Sequence, residues 1–190
     1  MIIVDSREKK WDHIRAYFDK HGIEYVFPQK LDTGDYFNTE YPVIVVDRKA
    51  NLQELCGNLS KGSGNIVRFT AECRRAKENR MKIVVLIEGT GIRTIKELER
   101  WKSKYTKHTG KWLSDKMWNL TVSYDVEWQF CKKTETAKKI LEILKYDSRR
   151  DKTDDLDERC AGEVRSQSEP ERNVLLPDSR RETSEHEGVL

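Results

Sequence analysis

The sequence predicts an α/β domain with a mixed central β-sheet flanked by helices. Three observations predict it. Short apolar runs rich in β-branched residues, such as Ile2–Val4, Val43–Val46 and the stretch 83–88, have the length and composition of buried strands. Between them lie segments whose apolar residues recur at spacings of three and four, the period of an amphipathic helix. The resulting order, β-α-β-β-β-α-α-β-α-β-α, fits one domain of layered sheet and helices.

Each element follows from its own residues. Met1 to Asp5 reads as a buried strand. Trp11, Ile14, Tyr17 and Phe18 put an apolar stripe on a helix from Trp11 to His21, and Gly22 is placed to stop it. Ile23 to Phe27 is a second strand. Tyr36-Phe37 and Val43 to Val46 are two more, joined by a loop, Asn38 to Pro42, short enough for a hairpin. Ala50 to Leu59 is a helix with Leu52, Leu55 and Leu59 on one face. Ser60 to Asn65 is a Gly- and Ser-rich connector, placed to touch DNA or merely to join two helices. It lacks the Gly-Lys-Ser/Thr ending of a nucleotide-binding loop, and a helix precedes it where a strand is needed.

Ile66 to Asn79 is a helix with a basic flank of Arg68, Arg74, Arg75 and Lys77. The stretch 83–88 is the most apolar strand. Thr94 and Glu97 have the spacing of a capping box for a helix running to about Lys104. Lys102 to Trp118 interleaves lysines with aromatics, with Thr106 to Gly110 as an exposed loop and Trp101 and Trp118 packed inward. Tyr124 to Phe130 alternates as a strand. Thr136 to Tyr146 closes the domain as a helix with Ile140, Leu141, Ile143 and Leu144 as its stripe.

At 190 residues the chain is long enough for one domain with a real core, and 36% of its residues are charged. It has no run of about 18 apolar residues, so no membrane span is expected. It opens on strand-like residues rather than on a charged and then apolar leader. Cys56, Cys73, Cys131 and Cys160 show no Cys-x-x-Cys pairing, which argues against a zinc site and a disulfide framework. His13, His21 and His108 are dispersed and expected on the surface.

The net charge of +3 hides an asymmetry. Residues 1–146 hold 28 Lys/Arg and 20 Asp/Glu, a balance of +8, whereas residues 147–190 hold 8 and 13, a balance of −5. A basic body suits a polyanionic partner such as nucleic acid. From Asp147 onward no apolar period survives, which is the composition of a disordered acidic tail, with Val174-Leu175-Leu176 as an apolar island. The domain is therefore bounded at 1–146 and the tail at 147–190.

The chemistry concentrates between Gly34 and Lys49. Asp35 follows a glycine and begins one β segment, while Asp47, Arg48 and Lys49 end the next. Residues two apart on a strand share a face, so Asp47 and Lys49 point the same way. The hairpin brings Asp35 beside Asp47. Two carboxylates sharing a site repel, and a hard cation relieves that repulsion. Either piece alone also reads as an ordinary solvated turn.

This stretch resembles the nuclease domain of the XPF family, which includes the archaeal helicase-associated nuclease Hef. The family pattern is Gly-Asp, a gap, Glu-Arg-Lys and a further acid. Here it reads Gly34-Asp35, Asp47-Arg48-Lys49 and Glu54, with Asp47 one methylene shorter and Glu54 one residue late. The opening Ile2-Ile3-Val4-Asp5-Ser6-Arg7-Glu8, the helix carrying Arg68, Phe69 and Glu72, the strand Val84 to Gly89 and the closing strand and helix extend the likeness over residues 1–146.

The resemblance implies the restriction-endonuclease-like fold and metal-dependent hydrolysis of DNA phosphodiesters, on branched or flapped DNA in repair, recombination or replication. It implies Asp35 and Asp47 as ligands of Mg²⁺, with Mn²⁺ as substitute, and Lys49 orienting or deprotonating the attacking water. Arg48 supports the site or contacts phosphate. Glu54 is a further candidate on the following helix, and Glu8 and Asp5 form an outer ligand layer, Glu8 better supported than Asp5. Basic candidates for touching the nucleic acid are Arg7, Arg48, Lys61, Arg68, Lys107 and Lys111.

The sequence shows no helix-hairpin-helix module and no helicase motifs, so a homodimer or a partner subunit is expected to add grip on DNA. A short stand-alone member suits the cytoplasm of a bacterium or a phage-infected cell. Two other readings stay open: an inactive DNA-binding scaffold subunit, and an RNA-processing nuclease.

Overall fold

Alternation along each strand sends side chains to two opposite faces, and here both faces are covered. A computed structural model describes residues 1–27, 30–60, 64–89 and 91–147. These form a six-stranded sheet of β1 (Ile2–Val4), β2 (Tyr25–Val26), β3 (Tyr36–Asn38), β4 (Ile44–Lys49), β5 (Lys82–Ile87) and β6 (Glu127–Phe130). The spatial order is β2-β1-β3-β4-β5-β6. Strand β3 runs antiparallel to β1 and β4, and the other neighbouring pairs are parallel, so the sheet is mixed as expected.

The helices are α1 (Asp12–His21), α2 (Leu52–Leu59), α3 (Asn65–Glu78), α4 (Gly110–Tyr124) and α5 (Thr136–Ile143). On one face of the sheet Val45, Val85 and Ile87 meet Leu55 of α2, Phe69 of α3 and Met117 of α4. On the other, Val46, Val84 and Leu86 meet Phe18 of α1 and Ile140 of α5. Strands β4 and β5 feed both cores, which is why β5 reads as a continuous apolar run. Removing a side chain such as Phe18 or Phe69 from these cores should cost about 3–5 kcal/mol. All of these elements lie in one compact unit, Met1–Arg150. No helix among the described residues is long and apolar enough to cross a membrane.

The expected strands form in the expected order along the chain, while the helical segment between β5 and β6 differs from the expectation. Gly22 ends α1 at φ 62°, as its position predicts. Val43 is exposed and β4 begins one residue later. The second strand shrinks to Tyr25–Val26, and Ile23 is buried outside it. The expected helix from Thr94 is a short 3₁₀ turn, Ile95–Arg100. Its capping box does not form: the Thr94 side chain caps nothing, and Glu97 accepts the backbone N–H of Arg93, one residue before the cap, at 3.0 Å.

The long helix of this region starts later, at Gly110, with Thr109 accepting the N–H of Trp112 at 3.3 Å. A Cβ at Gly110 would fall 1.5 Å from the Leu98 carbonyl oxygen, so only glycine lets α4 start against the 3₁₀ turn. Tyr124 ends that helix instead of opening a strand, and Asp125 caps it at φ 56°. Trp101 packs against the core as expected. Trp118 does not: it is 66% exposed, because Leu113, Met117 and Leu120 are the residues of α4 that face inward. The three cysteines within the described residues, Cys56, Cys73 and Cys131, are buried free thiols.

Candidate active site

The entry into β3 is set by Gly34. Its φ of 69° is left-handed, and a Cβ there would lie 2.1 Å from Val45 Cγ2, so glycine is required on both counts. The register pairs Tyr36 with Val46. One step further the same register sets Asp35 beside Asp47, and the Asp35 N–H donates to the Val46 carbonyl at 2.8 Å. Asp47 and Lys49 share a face, as their spacing predicts. Lys49 Nζ donates to Asp47 Oδ1 at 2.7 Å, and both residues are buried. The ammonium also lies 2.7 Å from Oδ2, but only by charge: Asp47 Oδ2 is buried and accepts no hydrogen bond. Phe69 closes the site from α3, its ring 5.4 Å from Lys49 Nζ.

The carboxylates here repel one another. Burial first, and then the charge of Asp47, push the Asp35 carboxyl well above the ordinary range. Glu72, on α3, is raised for the same two reasons, and its Oε1 accepts the Gly34 N–H at 2.6 Å. Burial opposes the charge of Lys49, but Asp47 and Asp35 outweigh it and hold the ammonium above its usual range. The site therefore keeps its one lysine charged in the midst of acids. Beneath it, burial pushes the Cys73 thiol up to about 12, so it supplies no thiolate nucleophile.

Arg48 points to the opposite face of the sheet, under α1. Its guanidinium donates to Glu8 and, at 2.6 Å, to Glu88. Glu88 also accepts from the Thr136 hydroxyl at 2.7 Å and is paired with His13. His13 is thus half-buried against a carboxylate and not a free surface residue. Glu8 is raised by burial, with Arg48 opposing. Asp5 is buried and accepts from the Arg7 and Leu31 N–H groups and from the Arg7 guanidinium. Burial would raise the Asp5 carboxyl, but the hydrogen bonds from Arg7 and Leu31 bring it below its usual value.

Glu54 is exposed, and its Oε2 accepts the Ala50 N–H at 2.9 Å, while its own N–H donates to Asn51 Oδ1 at 2.9 Å. It thus caps α2. It still lines the same cleft as Asp35, Asp47, Lys49 and Glu72, a cleft of about 1550 Å³. Arg7, Arg48 and Arg68 line it too, together with Lys9, Lys10, Lys30, Arg75 and Lys104, which are not among the residues expected from the sequence to touch nucleic acid. Lys107 and Lys111 are exposed and lie outside that lining, and Lys111 is 3.5 Å from Asp115. Lys61 lies outside the described residues.

Among the described residues no three His, Cys, Asp or Glu side chains form a ready-made metal cage. Mg²⁺ does not need one: it commonly binds through one or two carboxylates and fills its shell with water and phosphate. Asp35 and Asp47 match that donor set, and Asp47 Oδ2, held to Lys49 by charge, accepts no hydrogen bond. The residues present fit the ion.

A family model described as ERCC4 domain matches residues 4–144. No curated protein matches the chain. Among solved structures, XPF from Aeropyrum pernix superposes with a TM-score of 0.56 at 20% identity, over 78% of this chain and 66% of that one. The same protein in complex with DNA gives 0.54 at 18% identity, over 88% and 67%. This chain thus spans about two thirds of those chains. At such identity the likeness shows a shared fold, the restriction-endonuclease-like α/β sheet. With the family model covering β1 to α5, the chain belongs to the ERCC4 domain family and carries an XPF-type nuclease domain.

Proposed function

We propose that this chain is a metal-dependent DNA endonuclease that hydrolyses phosphodiesters in branched or flapped DNA. The observation that supports it best is the Asp35–Asp47–Lys49 group at the floor of a basic cleft, with Asp47 and Lys49 buried. In this reading Asp35 and Asp47 hold Mg²⁺, or Mn²⁺ in its place. When bound, the ion would supply Lewis acidity at the phosphate and ease ionisation of a water. Lys49 is held protonated, so it acts as a charge donor: it orients the water and offsets negative charge growing on the phosphate. Glu72 accepts from the Gly34 backbone and keeps the Asp35 turn in place. Arg48 braces the strand from behind.

The basic rim from Lys9 to Arg75 suits a phosphate backbone, and a relative of the same fold has been solved with DNA. A homodimer or a partner subunit that strengthens the grip belongs to the same proposal, and sedimentation of the protein with and without DNA tests it. The decisive assay is cleavage of labelled flap DNA, hairpin DNA and matched RNA, with and without Mg²⁺. Cleavage of DNA only with the metal supports the proposal. Preferential cleavage of RNA moves the reading to RNA processing. Tight binding with no cleavage on any metal leaves a scaffold subunit.

A further inference from the structure

One wall of the cleft carries an aromatic side chain that the chemistry above does not use. Tyr105 is 82% exposed, the most exposed large hydrophobic side chain among the described residues. It lines the same cleft as Asp35, Asp47 and Lys49, next to Lys104. Its backbone is firmly held. A bridge between Lys102 and Thr109 closes the turn, and Ser103 donates its N–H to the His108 carbonyl at 3.0 Å. Inside the turn, Ser103 Oγ accepts the N–H of Tyr105 at 3.3 Å and of Thr106 at 3.1 Å.

The turn is also tied to the helix that follows the catalytic strand. Gln53 of α2 donates to Ser103 Oγ at 2.8 Å and accepts the Lys104 N–H at 2.9 Å. One side chain thus sets the turn against the element that begins three residues after Lys49. An aromatic ring on a fixed backbone, beside an ammonium and facing a cleft, is a stacking platform. A base inside a duplex is already stacked on its neighbours and has no face to offer. An unpaired base has one.

We propose that Tyr105 stacks on an unpaired base of the DNA substrate and so selects for a single-stranded segment beside the cut, with Gln53 as the residue that positions the turn. This rests on the nuclease reading and adds a specificity residue to it. The test is binding by the full chain carrying Asp47→Asn, so that the DNA is not consumed. The probes are a fully paired duplex and a duplex with a single-stranded branch containing 2-aminopurine, whose fluorescence falls on stacking.

Tyr105→Ala should weaken binding of the branched DNA by about 5- to 150-fold, abolish the fluorescence change and leave the duplex unaffected. Tyr105→Phe should keep both signals. Gln53→Ala should lose part of the branch preference, and should add nothing in a Tyr105→Ala background. Equal losses on both DNAs, a failure of Tyr105→Phe, or no loss in Tyr105→Ala would overturn the proposal. If the parent chain cuts nothing in Mg²⁺ yet shows the Tyr105-dependent preference, the nuclease reading falls and the stacking site stands.

Discussion

The backbone N–H of Arg48 donates to Asp35 Oδ2 at 2.7 Å, while the side chain of the same residue bridges Glu8 and Glu88 on the other face of the sheet. One residue thus fixes a carboxylate of the candidate site and closes a buried ionic network behind it. The network carries two acids against one guanidinium, and all three side chains are at most 7% exposed.

Arg48→Met should therefore be strongly destabilising. Removing one partner of a buried ion pair typically costs about 3–5 kcal/mol, because the other charge stays buried without compensation. Urea unfolding of the variant checks this. Double replacement of Arg48 and Glu88 by apolar residues should recover part of the loss, since it removes one of the two orphaned carboxylates, leaving Glu8. No recovery in the double variant would mean that Glu88 is held chiefly by Thr136 and His13.

Asp47→Asn should abolish cleavage and keep DNA binding, while lowering stability because it removes the carboxylate charge that pairs with the buried Lys49 ammonium. Losing one strong electrostatic stabiliser costs about 10²-fold or more in rate. Asp35→Asn should behave alike. Lys49→Ala should slow cleavage yet keep Mn²⁺ binding by calorimetry, because the two carboxylates remain. Full cleavage by the Asp47 variant would remove that residue from the chemistry.

The raised carboxyls give a pH dependence of defined sign. Asp35, Glu72 and Glu8 hold their protons in the folded state more tightly than in the unfolded chain. Their stabilising contribution is complete below the ordinary carboxyl range, near about pH 4, and is lost as the pH rises through their folded values. A divalent ion competes with the proton for Asp35 and is favoured once that proton leaves. Without metal, these groups should lower the melting temperature as the pH climbs above about 4. The gain from added Mn²⁺ should grow over the same interval. An Mn²⁺ effect that is flat with pH would mean the ion does not bind Asp35.

Glu54 tests how far the family pattern carries. Its carboxylate accepts the Ala50 N–H at the start of α2, a bond that a glutamine oxygen reproduces. Glu54→Gln should leave cleavage within a few-fold of the parent, and Glu54→Ala should cost at most about 1 kcal/mol of stability through the lost hydrogen bond to the Ala50 N–H. A large rate loss in Glu54→Gln with unchanged stability would instead make Glu54 a fourth acid of the site.

The parts of this site that were legible in the sequence are those fixed by local geometry. A period of two puts Asp47 and Lys49 on one face, and a short hairpin sets Asp35 beside Asp47. Glu72 could not be placed from local pattern, because its partner Gly34 lies 38 residues away and the contact exists only once α3 packs on the sheet. The Glu88–His13–Arg48 cluster is non-local in the same way, joining β4, α1 and the end of β5. Helix α4 was missed because a lysine-rich turn precedes it and Trp118 and Val122 break its apolar stripe by facing solvent. Its start depends on the close approach of Gly110 to Leu98, which no pattern of hydrophobicity reports.

Deleting residues 147–190 should leave a folded, active nuclease. The family model ends at residue 144, and the last side chain packed against either core of the described residues is Tyr146. The removed segment has a balance of −5, and the remaining body one of +8. A tethered negative charge raises the cost of bringing DNA to the body, so truncation should tighten DNA binding modestly. The effect should be largest at low salt, where screening is weakest, and should shrink as ionic strength rises. The measurement is affinity and cleavage by residues 1–146 against the full chain across a salt series. Insoluble or inactive 1–146 protein would place the domain boundary beyond Tyr146. Equal affinities at low salt would show that the acidic segment does not oppose DNA binding.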